Sequence, residues 1–118
     1  MTSGLRDWEQ DSAGTRFRWT AARASFYVPS DATEMTLPLR PLLPGPEGRP
    51  VRVEIAVDGR SLAAIDCQDP AAWRRVTLPL PRTRTHRRYR RVDLRVNRTV
   101  GPYLLGIQVG EPVLSRPR

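Results

Sequence analysis

The chain has 118 residues, a formal net charge of +8 and a single cysteine. That length suits one domain and supports a core without covalent staples. Cys67 alone excludes an internal disulfide and a thiolate metal cluster, and no apolar run approaches the roughly 18–20 residues of a membrane-spanning helix. The basic charge is all arginine, with no lysine, beside twelve prolines. That is the usage a GC-rich genome produces, so part of the charge reads as codon drift rather than as a tuned footprint for a polyanion.

The first ten residues are polar and acidic and carry no signal-peptide pattern. Residues 1–14 read as a loosely ordered lead-in. Phe17 and Trp19 then open an apolar alternation that continues through Ala24, Phe26 and Val28, with a break or bulge expected near Ala21. Pro29, Ser30 and Asp31 make a turn. Met35, Leu37 and Leu39 form the next strand, which Pro38 places at an edge or ends early. Residues 41–50, with four prolines and two glycines, are a loop.

Val51, Val53, Ile55 and Val57 alternate with Arg52, Glu54, Ala56 and Asp58, the pattern of a strand buried on one face. Asp58-Gly59 is a hairpin signal that leads into Leu62 to Ile65. Asp69 is placed to cap a single helical turn. Val76, Leu78 and Leu80 form one more alternating strand, and Val92, Leu94 and Val96 another. Gly101-Pro102 turns the chain into a last strand, Leu105, Ile107 and Val109. Cys67, at the end of an apolar stretch, reads as a buried inert thiol.

Catalytic chemistry finds no purchase. The one histidine, His86, lies in a basic polar stretch with no nucleophile beside it in sequence. The carboxylates are scattered, and Asp66 and Asp69 fit turn and capping roles better than a calcium loop. Phosphate-binding glycine loops and zinc spacings are absent. Two kinds of binding chemistry remain. Trp8, Trp19, Trp73, Tyr27, Tyr89 and Tyr103 are able to stack on a sugar ring, with Trp19 and Trp73 in phase with the core and Trp8 the most exposed of the tryptophans. Arg82, Arg84, Arg87, Arg88, Arg90 and Arg91, with Tyr89, form a dense basic hairpin of the kind that tracks a phosphate backbone. No nucleic-acid motif frames that run, and a solvated connection is the simpler reading.

Three segments carry a family resemblance: Phe17-Arg18-Trp19-Thr20; residues 50–60 (PVRVEIAVDGR); and Arg95 to Asn97 followed by Leu105-Gly106-Ile107-Gln108-Val109. Together they resemble the small β-sandwich domains that follow the membrane-spanning part of bacterial envelope glycosyltransferases. The likeness touches about half the chain. It lacks the acidic residue expected before Leu105, where Pro102-Tyr103-Leu104 stands. It implies a jelly-roll-like, carbohydrate-binding-like domain without catalytic residues of its own, and Glu9, Arg18, Trp19, Arg95 and Asn97 as the matching ligand-binding positions. Arg18 and Arg95 have an alternative role, pairing with Glu9 or Asp93 to brace the sheets.

The expectation is therefore one all-β domain over residues 1–118: an antiparallel, jelly-roll-like β-sandwich of seven to eight short strands. Its role is that of a non-catalytic accessory or binding module for carbohydrate or an anionic envelope component, with no cofactor and no metal. Polyanion or nucleic-acid binding through residues 82–91 is the alternative, and a protein-interaction module the second. The compartment is cytoplasmic for a complete chain and periplasmic or envelope-associated for part of a longer membrane protein.

Overall fold

The structure, a computed structural model, describes residues 2–43, 48–82 and 86–117. The described residues form ten strands: β1 Ser3–Leu5, β2 Glu9–Gln10, β3 Arg16–Pro29, β4 Glu34–Arg40, β5 Val51–Val57, β6 Arg60–Cys67, β7 Arg74–Pro79, β8 Tyr89–Val96, β9 Gln108–Gly110 and β10 Val113–Ser115. That exceeds the expected seven to eight because β1, β2 and β10 are too short to show a periodicity. Residues 2–14, which read as a loose lead-in, supply two of them, both laid against β3.

All strand pairs are antiparallel, and they make two layers. The first runs β6-β5-β8-β3-β1 and uses the C-terminal half of β3. The second places β4 between β7 on one side and β9 and β10 on the other; β9 then pairs with the N-terminal half of β3, which β2 flanks. β3 thus belongs to both layers. Its inward parity changes on the way: Phe17 is buried at its start, then Thr20, then Ala24, Phe26 and Val28. The break expected near Ala21 is this crossing. Thr20 is fixed there, its amide donating to the Ile107 carbonyl at 2.8 Å and its hydroxyl oxygen accepting the Ile107 amide at 3.1 Å. Gly106 passes so close that a β-carbon on it would lie 2.5 Å from Thr20 Oγ1 and 2.6 Å from the Ala21 carbonyl oxygen. The Leu-Gly-Ile pattern therefore marks a close approach of two backbones.

Burial follows the alternation closely. Val51, Val53, Ile55, Val57, Val92, Leu94 and Val96 from one layer pack with Met35, Leu37, Leu39, Val76 and Val109 from the other in a single core. Strands buried on one face only are what period-two sequences build. Asp58 and Gly59 both take positive φ, 49° and 81°, the geometry that a two-residue turn between twisted strands requires. β6 lacks clean alternation and carries an extra residue, Leu62, where its register against β5 slips.

Two expectations are corrected. β4 is an interior strand, not an edge, although it contains Pro38. Proline fits because the ladder on one side is already broken there: β10 covers Glu34 to Thr36, β9 covers Leu39 and Arg40, and residues 111–112 fall between them. The Asp69 segment is a turn without a helix; Asp69 Oδ1 accepts the Ala71 amide at 3.0 Å.

Candidate functional site

The outward side chains of the first layer converge on one groove. On β3 these are Arg23, Ser25 and Tyr27; on β8 Tyr89, Arg91, Asp93 and Arg95; on β5 Arg52, Glu54 and Ala56. Register sets them side by side: Arg23 opposite Arg95, Ser25 opposite Asp93, Tyr27 opposite Arg91, and Glu54 opposite Arg95 from the other flank. An open cavity of about 560 Å³ lies over this face, within the size range of ligand sites. At one end it continues past Arg95 to Arg52 and Asn97, and at the other past Arg91 to Tyr27, Tyr89 and Arg87.

The floor of the groove is tied down by its own hydrogen bonds. Ser25 Oγ donates to Asp93 Oδ1 at 2.6 Å, and Arg91 Nε donates to Asp93 Oδ2 at 3.1 Å. Asn97 Oδ1 accepts the Arg52 amide at 2.9 Å, fixing the side chain at the groove's end, and Arg52 reaches Asp66 at 3.7 Å. Tyr27 and Tyr89, diagonal neighbours across β3 and β8, are 46% and 57% exposed.

The five residues matched by resemblance do not share one site. Arg95 and Asn97 line the groove. Glu9 sits exposed on β2 opposite Phe17, while Arg18 and the half-buried Trp19 lie in the N-terminal half of β3, in the other layer. Arg18 pairs with neither Glu9 nor Asp93: its Nε donates to the Arg6 carbonyl at 2.8 Å. Trp8 is half-buried rather than a free platform, because the guanidinium carbons of Arg16 and Arg18 lie 4.7 and 5.0 Å from its ring centroid. Trp73 is similarly covered, by Arg40 at 4.6 Å.

The basic run is also divided. Arg90 is buried, its Nε 3.3 Å from Asp58 Oδ2 and its Nη1 donating to the Pro81 carbonyl. Arg90 shares the inward parity of Val92, Leu94 and Val96, and that parity was the available signal. Arg91 is held by Asp93, Arg82 and Arg88 are exposed, Arg87 lines the groove's end, and Arg84 lies outside the described residues. The strip of free guanidinium groups that a polyanion would track is therefore not assembled from Arg90 and Arg91.

No protein-family model matches the sequence, and no curated protein is significantly similar to it. Solved structures match over nearly the whole chain. A family 6 carbohydrate-binding module from Clostridium cellulolyticum, solved in complex with xylose, superimposes with a TM-score of 0.56 at 12% identity, covering 98% of this chain and 89% of that one. A β-1,3-glucan binding family 6 module from Bacillus halodurans gives 0.55 at 16% identity, covering 97% and 87%. A family 35 module from Clostridium thermocellum gives 0.52 at 11% identity, covering 95% and 88%. The fold is the antiparallel β-sandwich that these modules share.

Within this β-sandwich, a second polar cluster gave no signal in the sequence. Arg40, flanked by the rings of Trp73 and Phe17, donates from Nε to Gln108 Oε1 at 2.7 Å and lies 3.4 Å from Asp11 Oδ2. Asp11 Oδ1 accepts the amides of Thr15 at 2.8 Å and Ala13 at 3.0 Å, and these bonds, Thr15 foremost, hold its carboxyl below the usual carboxylate range. Gln108 is 2% exposed, so the cluster is built into the fold and braces the second layer. Burial pushes the Cys67 thiol up, away from the thiolate form. His86 is exposed. Among the described residues no group of three or more His, Cys, Asp or Glu gathers to hold a metal, and no helix is long and apolar enough to cross a membrane.

Proposed function

We propose that this chain is a non-catalytic carbohydrate-binding module that seats a glycan along the outward face of β3, β8 and β5. One observation carries the reading: β8 and the residue that follows it lay Tyr89, Arg91, Asp93, Arg95 and Asn97 in a row along an open groove. A saccharide needs two chemistries in sequence, apolar ring faces for its C–H groups and fixed donors and acceptors for its hydroxyls. Tyr27 and Tyr89 supply the first and the Ser25-Asp93-Arg91 set with Asn97 the second. Trp8 and Trp73 do not compete, since both already carry guanidinium groups on their rings. The likeness in three sequence segments to domains appended to envelope glycosyltransferases supports an accessory role beside a glycan-handling enzyme.

Calorimetric titration against a panel of neutral and acidic oligosaccharides tests this. Saturable binding is expected, with Tyr89→Ala and Asn97→Ala each weakening it about tenfold, roughly 1.4 kcal/mol. Absence of saturable binding across the panel overturns the proposal. Binding that survives both substitutions but is lost in Trp19→Ala moves the site to the N-terminal half of β3.

A further inference from the structure

We propose that Arg23 and Arg95 together recognise a singly charged acidic substituent, a carboxylate or a sulfate ester, on the bound glycan. This rests on the groove being the glycan site and names the class of sugar it takes. The two arginines are direct cross-strand partners on β3 and β8, and both are exposed on the groove side. Like charges in that arrangement repel and cost stability, and an anion seated against the pair would relieve that repulsion.

The carboxylates of the groove do not provide enough of one. Asp93 is committed through both oxygens, to Ser25 and Arg91. Asp66 faces Arg52, and Asp58 binds Arg90 and the Arg91 amide. Only Glu54, opposite Arg95 on β5, faces the pair, and among the described residues it closes no ion pair with either arginine. Two guanidinium groups against one carboxylate leave one positive charge, which a single monoanionic group balances and a phosphomonoester dianion would exceed.

The chemistry suits arginine in particular. Guanidinium groups present fork-shaped pairs of N–H donors that match the two oxygens of a carboxylate, and they shed water more readily than an ammonium. The pair lies toward the Asn97 end of the groove, with Tyr27 and Tyr89 at the far end. A ring stacked on the tyrosines would therefore be followed along the chain by an acidic residue.

The test is calorimetry with matched ligands: an oligogalacturonide, its methyl ester, and a sulfated oligosaccharide beside its desulfated form. In low salt, at least one acidic ligand is expected to bind about tenfold or more tighter than its uncharged match. That preference should fall with added salt and vanish in Arg23→Gln/Arg95→Gln. Which acid is preferred assigns carboxylate or sulfate. Tyr89→Ala should weaken acidic and uncharged forms alike, which reads the groove independently of the charge. Equal affinity for charged and uncharged partners while Tyr89→Ala still weakens both overturns the charge assignment and leaves the groove standing. If nothing binds, the groove reading and this proposal fall together. Thermal melts of each single arginine variant supply a second readout: Tm should hold or rise as the repulsion is relieved, and a fall of several degrees in either would make that arginine a structural brace and overturn the proposal.

Discussion

Beneath the indole of Trp73, Asp11 and Arg40 meet in a place where charge is expensive to leave unpaired. The Asp11 carboxylate takes two amide hydrogen bonds, the Trp73 indole N–H at 3.5 Å and the Arg40 guanidinium. Its acidity is raised chiefly by the Thr15 amide, against an opposing push from burial. Because the folded state holds this proton less tightly than the unfolded chain, Asp11 contributes stability above the unfolded carboxylate value of about 3.9. That contribution is given up as the pH falls through the lower, folded value. Thermal melts from about pH 6 to about pH 3 should show Tm falling more steeply for the native sequence than for Asp11→Asn, which starts lower at neutral pH. Equal slopes would remove Asp11 from the acid sensitivity of the fold. None of these partners was legible beforehand: Asp11, Arg40 and Gln108 are far apart in sequence, and a polar residue gives no periodic signal of where it points. Arg90 is the opposite case, since its inward parity was written in the alternation of β8.

At the level of elements, the Asp58-Gly59 turn does more than reverse the chain. Asp58 accepts the Arg91 amide at 3.0 Å, approaches Arg90 Nε at 3.3 Å and donates its own amide to the Arg91 carbonyl at 2.9 Å, clasping the end of the β5-β6 hairpin to β8. Asp58→Ala takes away the counter-charge of an arginine whose side chain is only 6% exposed. It should cost about 2 kcal/mol in urea unfolding, and Asp58→Asn, which keeps the acceptor for the Arg91 amide, should cost less. The hairpin itself was readable from Asp-Gly between alternating runs, as were β5 and β8, because each of those strands buries one face only. Sheet order was not. The alternation of each strand says which side chains face outward but not that β8 lies between β3 and β5, and the groove exists only through that adjacency. Pro38 misled for a related reason: the gap between β9 and β10 that accommodates it is a property of the partners.

Taken whole, the molecule holds several of its arginines in local pairs, such as Arg16 with Glu111 at 2.8 Å and Arg91 with Asp93 at 3.1 Å, while the excess of +8 remains. Its two layers are not separable bodies, because β3 is a member of both. Trp8, Trp19 and Trp73 stand on or beside the second layer, whereas Tyr27 and Tyr89 stand on the first. Tryptophan fluorescence and the ring resonances of those two tyrosines should therefore report one coincident urea transition, as for a two-state domain. Tyrosine signals lost at a lower urea concentration than the fluorescence change would mean that the layers open independently. The crossing also links distant parts of the surface. The groove has no stability of its own to draw on, since the strand that forms one wall is threaded through the opposite sheet. A loosened Arg40-Gln108 contact would thus lower the fraction of molecules able to hold a ligand while leaving the intrinsic affinity of each folded one unchanged.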